Sequence, residues 1–330
     1  MALCTAVKNR DMPSSIGIIL RGMRQIRRGR PAVLAHTINA ECNLRCPFCP
    51  FWRKKGREMS KEEIFDFLAR CRDFGIVVYN VWATEPLLRE DLGECLRYAK
   101  SLGMITFVIT NGTLLEERID RLEYCDYLAV SVDGLESYRR IRGGDLDRVI
   151  EGIKEAKRAG IRTLINCVLS DANIHEAEDL VKMARNLGVG ILFEPVHEYR
   201  SIPDEVWNEF GIRDRKRYSE IVDRIIEMKK QGEPVMNSYP YLKIIRDLKP
   251  DFRCRVNEAI LHLGLDGKIE SCSSVIGDFR DNLEDLWKHH AVKAREEADR
   301  CPGCLFSGYV EISLFFNFNL NAVWNYMRSL

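Results

Sequence analysis

The sequence predicts an α/β fold built on a parallel sheet, with a small C-terminal unit of one β-hairpin and one helix. Between residue 33 and about residue 196, strand-like and helix-like segments alternate with a regular spacing. Several strand-like segments are nearly continuous apolar runs, which is typical of strands buried on both faces. Further along, the pair Asp266-Gly267 separates two short strand-like segments and favours a tight two-residue turn.

The alternating region contains six expected strands and five expected crossover helices. The strands span residues 33–40, 76–82, 105–110, 127–132, 163–169 and 190–195. The helices span residues 61–74, 90–102, 114–122, 145–159 and 174–187. Strands joined by crossover helices are parallel, so the sheet, closed or open, has its carboxyl ends on one side. Ligands bind beyond those ends, where we expect the functional residues.

Proline and glycine residues divide the rest of the chain. They interrupt residues 197–250, which we interpret as a connector with one or two helices. The hairpin strands are expected at residues 260–265 and 268–271, followed by a helix at 282–298. We therefore divide the chain into an N-terminal helix, an α/β core, a helical connector, a C-terminal unit and a tail, with limits at 1–32, 33–210, 211–250, 251–305 and 306–330.

Composition limits the function classes. The chain of 330 residues has 50 basic and 49 acidic side chains, which excludes a generally basic nucleic-acid coat, and we expect no nucleic-acid partner. It has no apolar run of about 18 residues and no signal-type apolar segment, so we expect a cytoplasmic protein. Twelve cysteines are too many for packing alone, and disulfides are rare in that compartment. Metal or redox chemistry is the expectation.

The two ends of the chain differ from the middle. Apolar residues recur at positions 16, 19, 20, 23 and 26 beside several arginines, which predicts a basic amphipathic helix. Residues 306–330 are rich in aromatic side chains and carry two charges, Glu311 and Arg328. Two readings stay open: both ends pack on the barrel and cap its openings, or they make peripheral contact with the inner membrane face and a lipid substrate.

The first cysteine cluster follows the first strand directly. Cys42, Cys46 and Cys49 lie within eight positions of one loop. Soft thiolates select zinc, copper(I) or iron-sulfur clusters, and three ligands on a tight loop bind three corners of a cubane and leave one iron open. A structural zinc site needs a fourth ligand, and none is adjacent in the sequence.

This Cys-x3-Cys-x2-Cys spacing, with Phe48 inside the loop, resembles the signature of the radical S-adenosylmethionine (radical SAM) enzymes. The resemblance implies a partial (β/α)6 TIM-like barrel and a [4Fe-4S] cluster on Cys42, Cys46 and Cys49. It also implies that the open iron binds SAM and that one electron cleaves SAM to methionine and a 5′-deoxyadenosyl radical. A reductant such as ferredoxin or flavodoxin is then a partner.

The same resemblance implies further cofactor-binding residues at the strand ends. Glu85 stands in Ala83-Thr84-Glu85-Pro86, where similar enzymes have Gly-Gly-Glu-Pro against the SAM amino group. Asn111 follows the third strand, Ser131 ends the fourth, and Arg142 follows as a partner for the SAM carboxylate, with Arg139 or Arg140 as alternatives. The implied cofactor-binding set is Phe48, Glu85, Asn111, Ser131, Arg142 and Asn166, with Glu194 as a further pocket candidate.

A second cysteine cluster lies in the C-terminal unit. Cys254, Cys272, Cys301 and Cys304 flank the expected hairpin and helix, an arrangement that resembles the Twitch domain, the short form of the SPASM extension. The resemblance implies a second, auxiliary [4Fe-4S] cluster. Two alternatives remain: a zinc site with four cysteine ligands, and an iron-sulfur cluster with three cysteine ligands and one iron open to substrate. The scattered cysteines are expected to be inert core residues: Cys4, Cys71, Cys95, Cys125 and Cys167.

These observations lead to one main functional hypothesis and two alternatives. The main one is a radical SAM oxidoreductase that abstracts hydrogen from a small molecule or lipid, in a dehydrogenation, an epimerisation or a C–C or C–S bond formation. The first alternative is a peptide-modifying radical SAM maturase. The second is a non-catalytic iron-sulfur electron carrier, which would not need the strand-end set of Glu85, Ser131 and Arg142.

Overall fold

The computed structural model describes residues 15–272 and 274–329. In these ranges nine strands form one sheet, in the order β6-β5-β4-β3-β2-β1-β7-β8-β9. The strands are β1 Val33–Thr37, β2 Val78–Trp82, β3 Ile105–Thr110, β4 Tyr127–Ser131, β5 Arg162–Leu169, β6 Gly190–Pro195, β7 Ile260–Leu263, β8 Lys268–Glu270 and β9 Val275–Asp278. Strands β1 to β6 are all parallel, which confirms the α/β fold with a partial-barrel core.

Helices connect the strands and extend to the C-terminus. Within the described ranges they are α1 Ser15–Arg27, α2 Lys61–Phe74, α3 Leu92–Ser101, α4 Leu115–Arg118, α5 Tyr138–Arg142, α6 Leu146–Arg158, α7 Ala177–Leu187, α8 Asp204–Phe210, α9 Arg215–Lys230, α10 Tyr239–Arg246, α11 Val256–Ala259, α12 Leu283–Arg300, α13 Ser307–Phe316 and α14 Leu320–Ser329. The region 197–250 therefore holds three helices, where the sequence predicted one or two.

Local chemistry sets the limits of α2, which coincide with the predicted ones. The Ser60 side chain accepts from the backbone of Glu63, and the Glu63 side chain accepts from the backbone of Ser60, which is a capping box. The helix ends at Gly75, whose φ of 106° is a left-handed conformation that glycine adopts readily. The chain then turns into β2.

Side chains alternate along the strands and separate two environments. In β2, Tyr79 and Val81 are buried under the helices, whereas Val78, Asn80 and Trp82 are only partly buried on the opposite face. Strand β6 repeats the pattern. Because alternate residues of a strand point to opposite faces, the partly buried set lines the inner side of the curved sheet. Half-buried side chains therefore line the inner side, and the main apolar core lies between the sheet and the helices.

The C-terminal hairpin continues the barrel sheet. Strand β7 pairs in parallel with β1, with Ala35 opposite His262, and β8 pairs antiparallel with β7. The turn between β7 and β8 lies where the Asp-Gly pair predicted it, and Gly267 has a φ of 86° there, but four residues, 264–267, separate the strands instead of two. Strand β9 was not predicted; it is short, half-exposed and pairs with β8 across a bulge. The domain limits given above stay a prediction.

Helix α13 spans the open side of the sheet. The backbone N–H and hydroxyl of Ser307 donate to Glu194 of β6 at 2.9 and 3.0 Å. On the other side, Tyr309 and His262 of β7 approach each other, with hydroxyl and Nε2 at 3.4 Å. The aromatic tail predicted from the sequence thus begins with a helix that bridges the two edges of the partial barrel.

Helix α1 packs at the amino ends of the barrel strands. The Gln25 amide donates to the carbonyl of Phe74 at 2.8 Å, and the Arg21 guanidinium donates to the carbonyl of Gly103 at 3.0 Å. These contacts favour the capping role over a membrane contact. Residues 1–14 of the predicted N-terminal segment lie outside the described residues. Across the described ranges, no helix is both long and apolar enough to cross a membrane.

Candidate functional site

The first cysteine cluster occupies the loop after β1. Cys46 is buried, and Cys42 and Cys49 are partly buried. The N–H of Cys49 donates to the carbonyl of Cys46 at 3.2 Å, and the Trp52 indole donates to the same carbonyl at 3.0 Å. The Arg45 guanidinium donates to the carbonyl of Cys42. Side chains of the loop therefore bind its own backbone and hold the three thiols on one short turn.

Neighbouring strand ends contact this loop. The Asn111 amide nitrogen lies 3.8 Å from the Cys42 sulfur and donates to the Asn43 side chain at 2.8 Å. On the other side, the Cys46 sulfur lies 3.8 Å from the carbonyl of Arg142. Asn111 and Arg142, both predicted at the cofactor site, thus lie against the cysteine loop.

The thiols match what a cluster requires of its ligands. Burial raises the pKa of Cys46 to about 12 against the opposing charge of Arg142, so iron binding must displace its proton. Within the described ranges, no three histidine, cysteine or acidic side chains stand close enough to hold one metal ion. The thiolates of a [4Fe-4S] cluster stand farther apart than the ligands of a single ion, because each thiolate binds a different iron. Three soft ligands on one loop fit such a group.

Glu85 is a buried hydrogen-bond acceptor between two strand ends. Its carboxylate accepts from the N–H of Leu87 at 3.0 Å, the hydroxyl of Thr110 at 2.7 Å and the N–H of Asn111 at 2.7 Å. Burial raises the pKa of Glu85 to about 7, against the effect of these donors. The carboxylate is thus engaged within the protein and positions Asn111. The contact predicted between this segment and the SAM amino group stays a prediction.

The residues before Glu85 explain how the turn does without two glycines. Ala83 has a φ of 98°, in the left-handed region that glycine normally occupies. The Thr84 hydroxyl donates to the carbonyl of Asn39 at 2.7 Å and lies 2.8 Å from the Asn39 side-chain oxygen. The turn therefore keeps the backbone of a glycine-type motif, and a side-chain hydrogen bond to the neighbouring loop stabilises it.

Arg142 forms a buried ion pair. Its Nε donates to Asp133 at 2.7 Å, and Asp133 is completely buried and also accepts from the N–H of Val168 at 2.8 Å. The resemblance implies a contact with the SAM carboxylate, which stays a prediction; in the structure the Nε edge of the guanidinium pairs with Asp133. Of the alternatives, Arg140 pairs with Glu209 at an exposed position, and Arg139 is exposed.

We expect Arg142→Ala to destabilise the protein by about 3–5 kcal/mol, because it leaves Asp133 buried without its cation. The matched variant Arg140→Ala removes an exposed pair and should cost at most about 1 kcal/mol. Urea unfolding followed by circular dichroism measures both. Adding Asp133→Asn to Arg142→Ala should recover part of the loss, and equal costs for the two single variants would contradict the buried-pair argument.

Polar residues at the ends of β4, β5 and β6 share the inner face. Ser131 lies opposite Asn166 in the strand register, and the Asn166 amide donates to Glu194 at 3.3 Å. The Asn166 side-chain oxygen is buried and has no hydrogen-bond partner among the described residues. Burial raises the pKa of Glu194. The structure thus brings Ser131, Asn166 and Glu194 together, and their cofactor roles stay predictions.

Phe48 lies on the outer side of the loop. Its ring packs against Phe210 of α8 with centroids 5.8 Å apart, beside Ile141 and Trp207. The predicted contact with SAM would need the free side of this ring. Its observed partners indicate that Phe48 anchors the cysteine loop to α5 and α8.

The second cysteine cluster lies between the end of α10, the hairpin and α12. Burial raises the pKa of Cys304 to about 11, and the neighbouring thiols of Cys254 and Cys301 add to the increase. Cys272 has the other three as electrostatic neighbours, which likewise raise its pKa. The four thiols therefore lie within electrostatic range of one another, and Cys272 and Cys301 are exposed. The remaining described cysteines are buried in the main core, as predicted, and Cys4 lies outside the described residues: Cys71, Cys95, Cys125 and Cys167.

Six aromatic side chains, not recognised in the sequence as a set, form a closed circuit inside the barrel. In order round this aromatic circuit they are Phe51, Trp82, His262, Tyr309, Phe306 and Tyr199. Successive ring centroids lie between 5.2 and 6.4 Å apart. Phe51 comes two residues after Cys49, and Phe306 comes two residues after Cys304. The circuit therefore connects the two cysteine clusters.

One local signal could have identified part of this set. An aromatic residue two positions after the last cysteine occurs in both clusters. Trp82 carries a second signal, since it ends β2 in register with Thr37, at the edge where ligands bind. His262, Tyr309 and Tyr199 come from three distant segments, and no local pattern joins them.

Comparisons with known proteins agree with this geometry. The sequence model of the Radical SAM superfamily matches residues 37–184. A Saccharolobus solfataricus protein named as a probable GTP 3′,8-cyclase is 30% identical over 290 residues, which cover 82% of this chain and 92% of that protein. A Methanococcus aeolicus protein of the same name is 33% identical over 180 residues, which cover 49% of this chain and 59% of that protein.

Solved structures share the fold. SuiB of Streptococcus suis bound to S-adenosylmethionine superposes with a TM-score of 0.64 at 16% identity, covering 81% of this chain and 69% of that one. The enzyme anSMEcpe with bound AdoMet gives a TM-score of 0.64 at 16% identity, covering 82% and 83%. The fold, the cysteine loop and the long match to the Saccharolobus protein lead to one conclusion: this chain belongs to the radical SAM superfamily.

Proposed function

We propose that this protein is a radical SAM oxidoreductase that acts on a small molecule bound inside the barrel, aided by an auxiliary [4Fe-4S] cluster. Membership of the superfamily implies a first [4Fe-4S] cluster and SAM, and Cys42, Cys46 and Cys49 would hold that cluster. The group supplies one electron at low potential, which cleaves SAM to methionine and a 5′-deoxyadenosyl radical. Cys254, Cys272, Cys301 and Cys304 would hold the auxiliary cluster, with electron transfer as its role.

The observation that carries this proposal is the aromatic circuit between the two cysteine clusters. Burial raises the pKa of Tyr199, and the charges of Glu194, Cys49 and Cys304 add to the increase, so this one ring lies near both clusters. Tyr309 likewise has Cys272 and Cys304 as electrostatic neighbours. A substrate inside the circuit would lie between the radical source and an electron acceptor. A simple electron carrier has no need of an aromatic circuit there.

The side chains round this space suit a reaction that excludes water. Aromatic rings supply apolar walls, which protect a radical from solvent. The Trp82 indole nitrogen is buried without a hydrogen-bond partner in the described structure, and so is the Asn166 side-chain oxygen. One donor and one acceptor are thereby free for polar groups of a ligand. Glu194 at the same edge is partly buried, and desolvation raises its pKa.

We expect the reconstituted protein, with dithionite and SAM, to form 5′-deoxyadenosine and methionine, and to form them faster with its substrate. The experiment incubates the protein anaerobically with fractions of a cell extract and measures deoxyadenosine by liquid chromatography. Fractions that raise the rate contain the substrate. Iron-loaded protein that forms no deoxyadenosine with any fraction would favour the electron-carrier alternative.

A second candidate is ring closure of a guanosine nucleotide. The observation that favours it is the alignment with the Saccharolobus protein named as a probable GTP 3′,8-cyclase, which includes 92% of that protein. Four neighbouring cysteines in the second cluster speak against it, since full thiolate ligation leaves no iron open to substrate. An arm of the same experiment with GTP in place of extract separates the two candidates.

A further inference from the structure

The outer surface beside the first cysteine cluster carries four unpaired cations. Arg53, Lys54 and Lys55 follow the loop directly and are exposed, as is Arg45 within it. In the described part of the chain none of the four has an acidic partner. The neighbouring cations differ, since Arg57 pairs with Glu63 and Lys61 pairs with Glu94. We call the four residues the basic turn.

Trp52 connects the basic turn to the cysteine loop. The guanidinium groups of Arg45 and Arg53 lie over its ring, 5.1 and 4.2 Å from the centroid. Its indole nitrogen donates to the carbonyl of Cys46 at 3.0 Å. A conjugated side chain therefore leads from the charged surface to the backbone of a cluster ligand, over a single hydrogen bond.

A cleft of about 280 Å³ adjoins the turn. Arg45 lines it together with Arg140 and Arg142; Arg140 is paired with Glu209 and Arg142 with Asp133, so Arg45 is the lining arginine without an acidic partner among the described residues. Arg142 is the residue whose carbonyl lies 3.8 Å from the Cys46 sulfur. The cleft fits protruding carboxylates, because arginine binds them in a two-pronged geometry. The cleft therefore adjoins the basic turn at Arg45, which belongs to both.

We propose that this surface is the docking site for an acidic electron-transfer protein whose flavin or iron-sulfur group lies near its own surface. The inference rests on the proposed function and names the partner of its first cluster. The donor would be oxidised by one electron and the cluster that Cys42, Cys46 and Cys49 would hold would be reduced by it, with Trp52 between the docked donor and the cysteine loop. Complementary charge steers such an encounter and fixes its orientation, and it makes the rate sensitive to salt.

The test reverses three consecutive charges at the turn, in Arg53→Glu/Lys54→Glu/Lys55→Glu. A matched control reverses Arg215, Lys216 and Arg217, which are also consecutive and exposed but lie at the start of α9. Each iron-loaded protein is mixed with photoreduced acidic flavodoxin or with dithionite. Freeze-quench electron paramagnetic resonance then measures how fast the reduced iron-sulfur signal appears.

We expect the variant at the turn to be reduced by flavodoxin at least about tenfold more slowly, with an unchanged rate for dithionite. The α9 control should match the wild type with both reductants, and raising the salt should slow only the flavodoxin reaction of the wild type. Equal slowing with both reductants, or no slowing at all, would overturn the docking site. The experiment measures reduction of the iron-sulfur signal and not SAM cleavage. A protein that is reduced normally but does not cleave SAM would therefore count against the proposed function and not against the docking site.

Discussion

Changing Cys42, Cys46 and Cys49 together to Ala is expected to abolish formation of 5′-deoxyadenosine from SAM. The three thiols are the only ligands that the loop offers to the first cluster, and without that cluster no electron reaches SAM. The iron content should fall from about eight per chain to about four, since four cysteines of the second cluster remain. Iron analysis and chromatography of deoxyadenosine under dithionite measure the two effects.

The control for this prediction is Cys95→Ala. Cys95 is completely buried in the core, and the same chemical change there should leave the iron content and SAM cleavage intact. Should the triple variant keep deoxyadenosine formation above one part in a thousand of the wild type, the assignment of the first cluster would be wrong.

The double change Cys301→Ala/Cys304→Ala is expected to remove the auxiliary cluster and stop product formation, while SAM cleavage continues. Two of four ligands cannot hold a cubane, so about four irons should be lost. The first cysteine loop shares no hydrogen bond with these residues among those of the described structure, and its own cluster should stay loaded. Deoxyadenosine would then form without matching turnover of the substrate.

Metal analysis decides between the two kinds of second site. Stoichiometric zinc with four irons in the wild type, and loss of the zinc in the double variant, would establish a zinc site with four cysteine ligands instead. Full product formation by the double variant would show that the second cluster has no part in the reaction. Cys167→Ala serves as the control, because Cys167 lies on β5, buried on the outer face of the sheet.

Much of the fold and the position of the first cysteine loop were predictable because the signals are local along the chain. Strands β3 and β6 have the predicted limits, since each is an apolar run between clear breaks. Strand β1 ends three residues early, at Thr37. There the chain leaves the sheet, and the side chain of Asn39 donates to the carbonyls of Glu41 and Glu85 instead.

The roles of individual polar residues were less predictable. The predicted contact of Glu85 with SAM stays a prediction, and the structure adds that its carboxylate accepts three internal hydrogen bonds. The predicted contact of Arg142 with the SAM carboxylate also stays a prediction, and the structure adds that its Nε pairs with Asp133. A motif places a side chain near a site, but competition among nearby donors and acceptors decides its partner. The competing partners are distant in the chain: Asp133 is nine positions from Arg142, and Asn111 is 26 positions from Glu85.

The sequence by itself determined the superfamily, the parallel sheet and the two cysteine clusters, because thiol spacing and apolar runs act over a few consecutive residues. Only the tertiary structure decided that the hairpin joins the barrel beside β1, that α13 spans its open side and that Tyr199 lies near both clusters. These features join segments that are far apart in the chain. Their contacts exist only once the sheet has curved and brought its edges together.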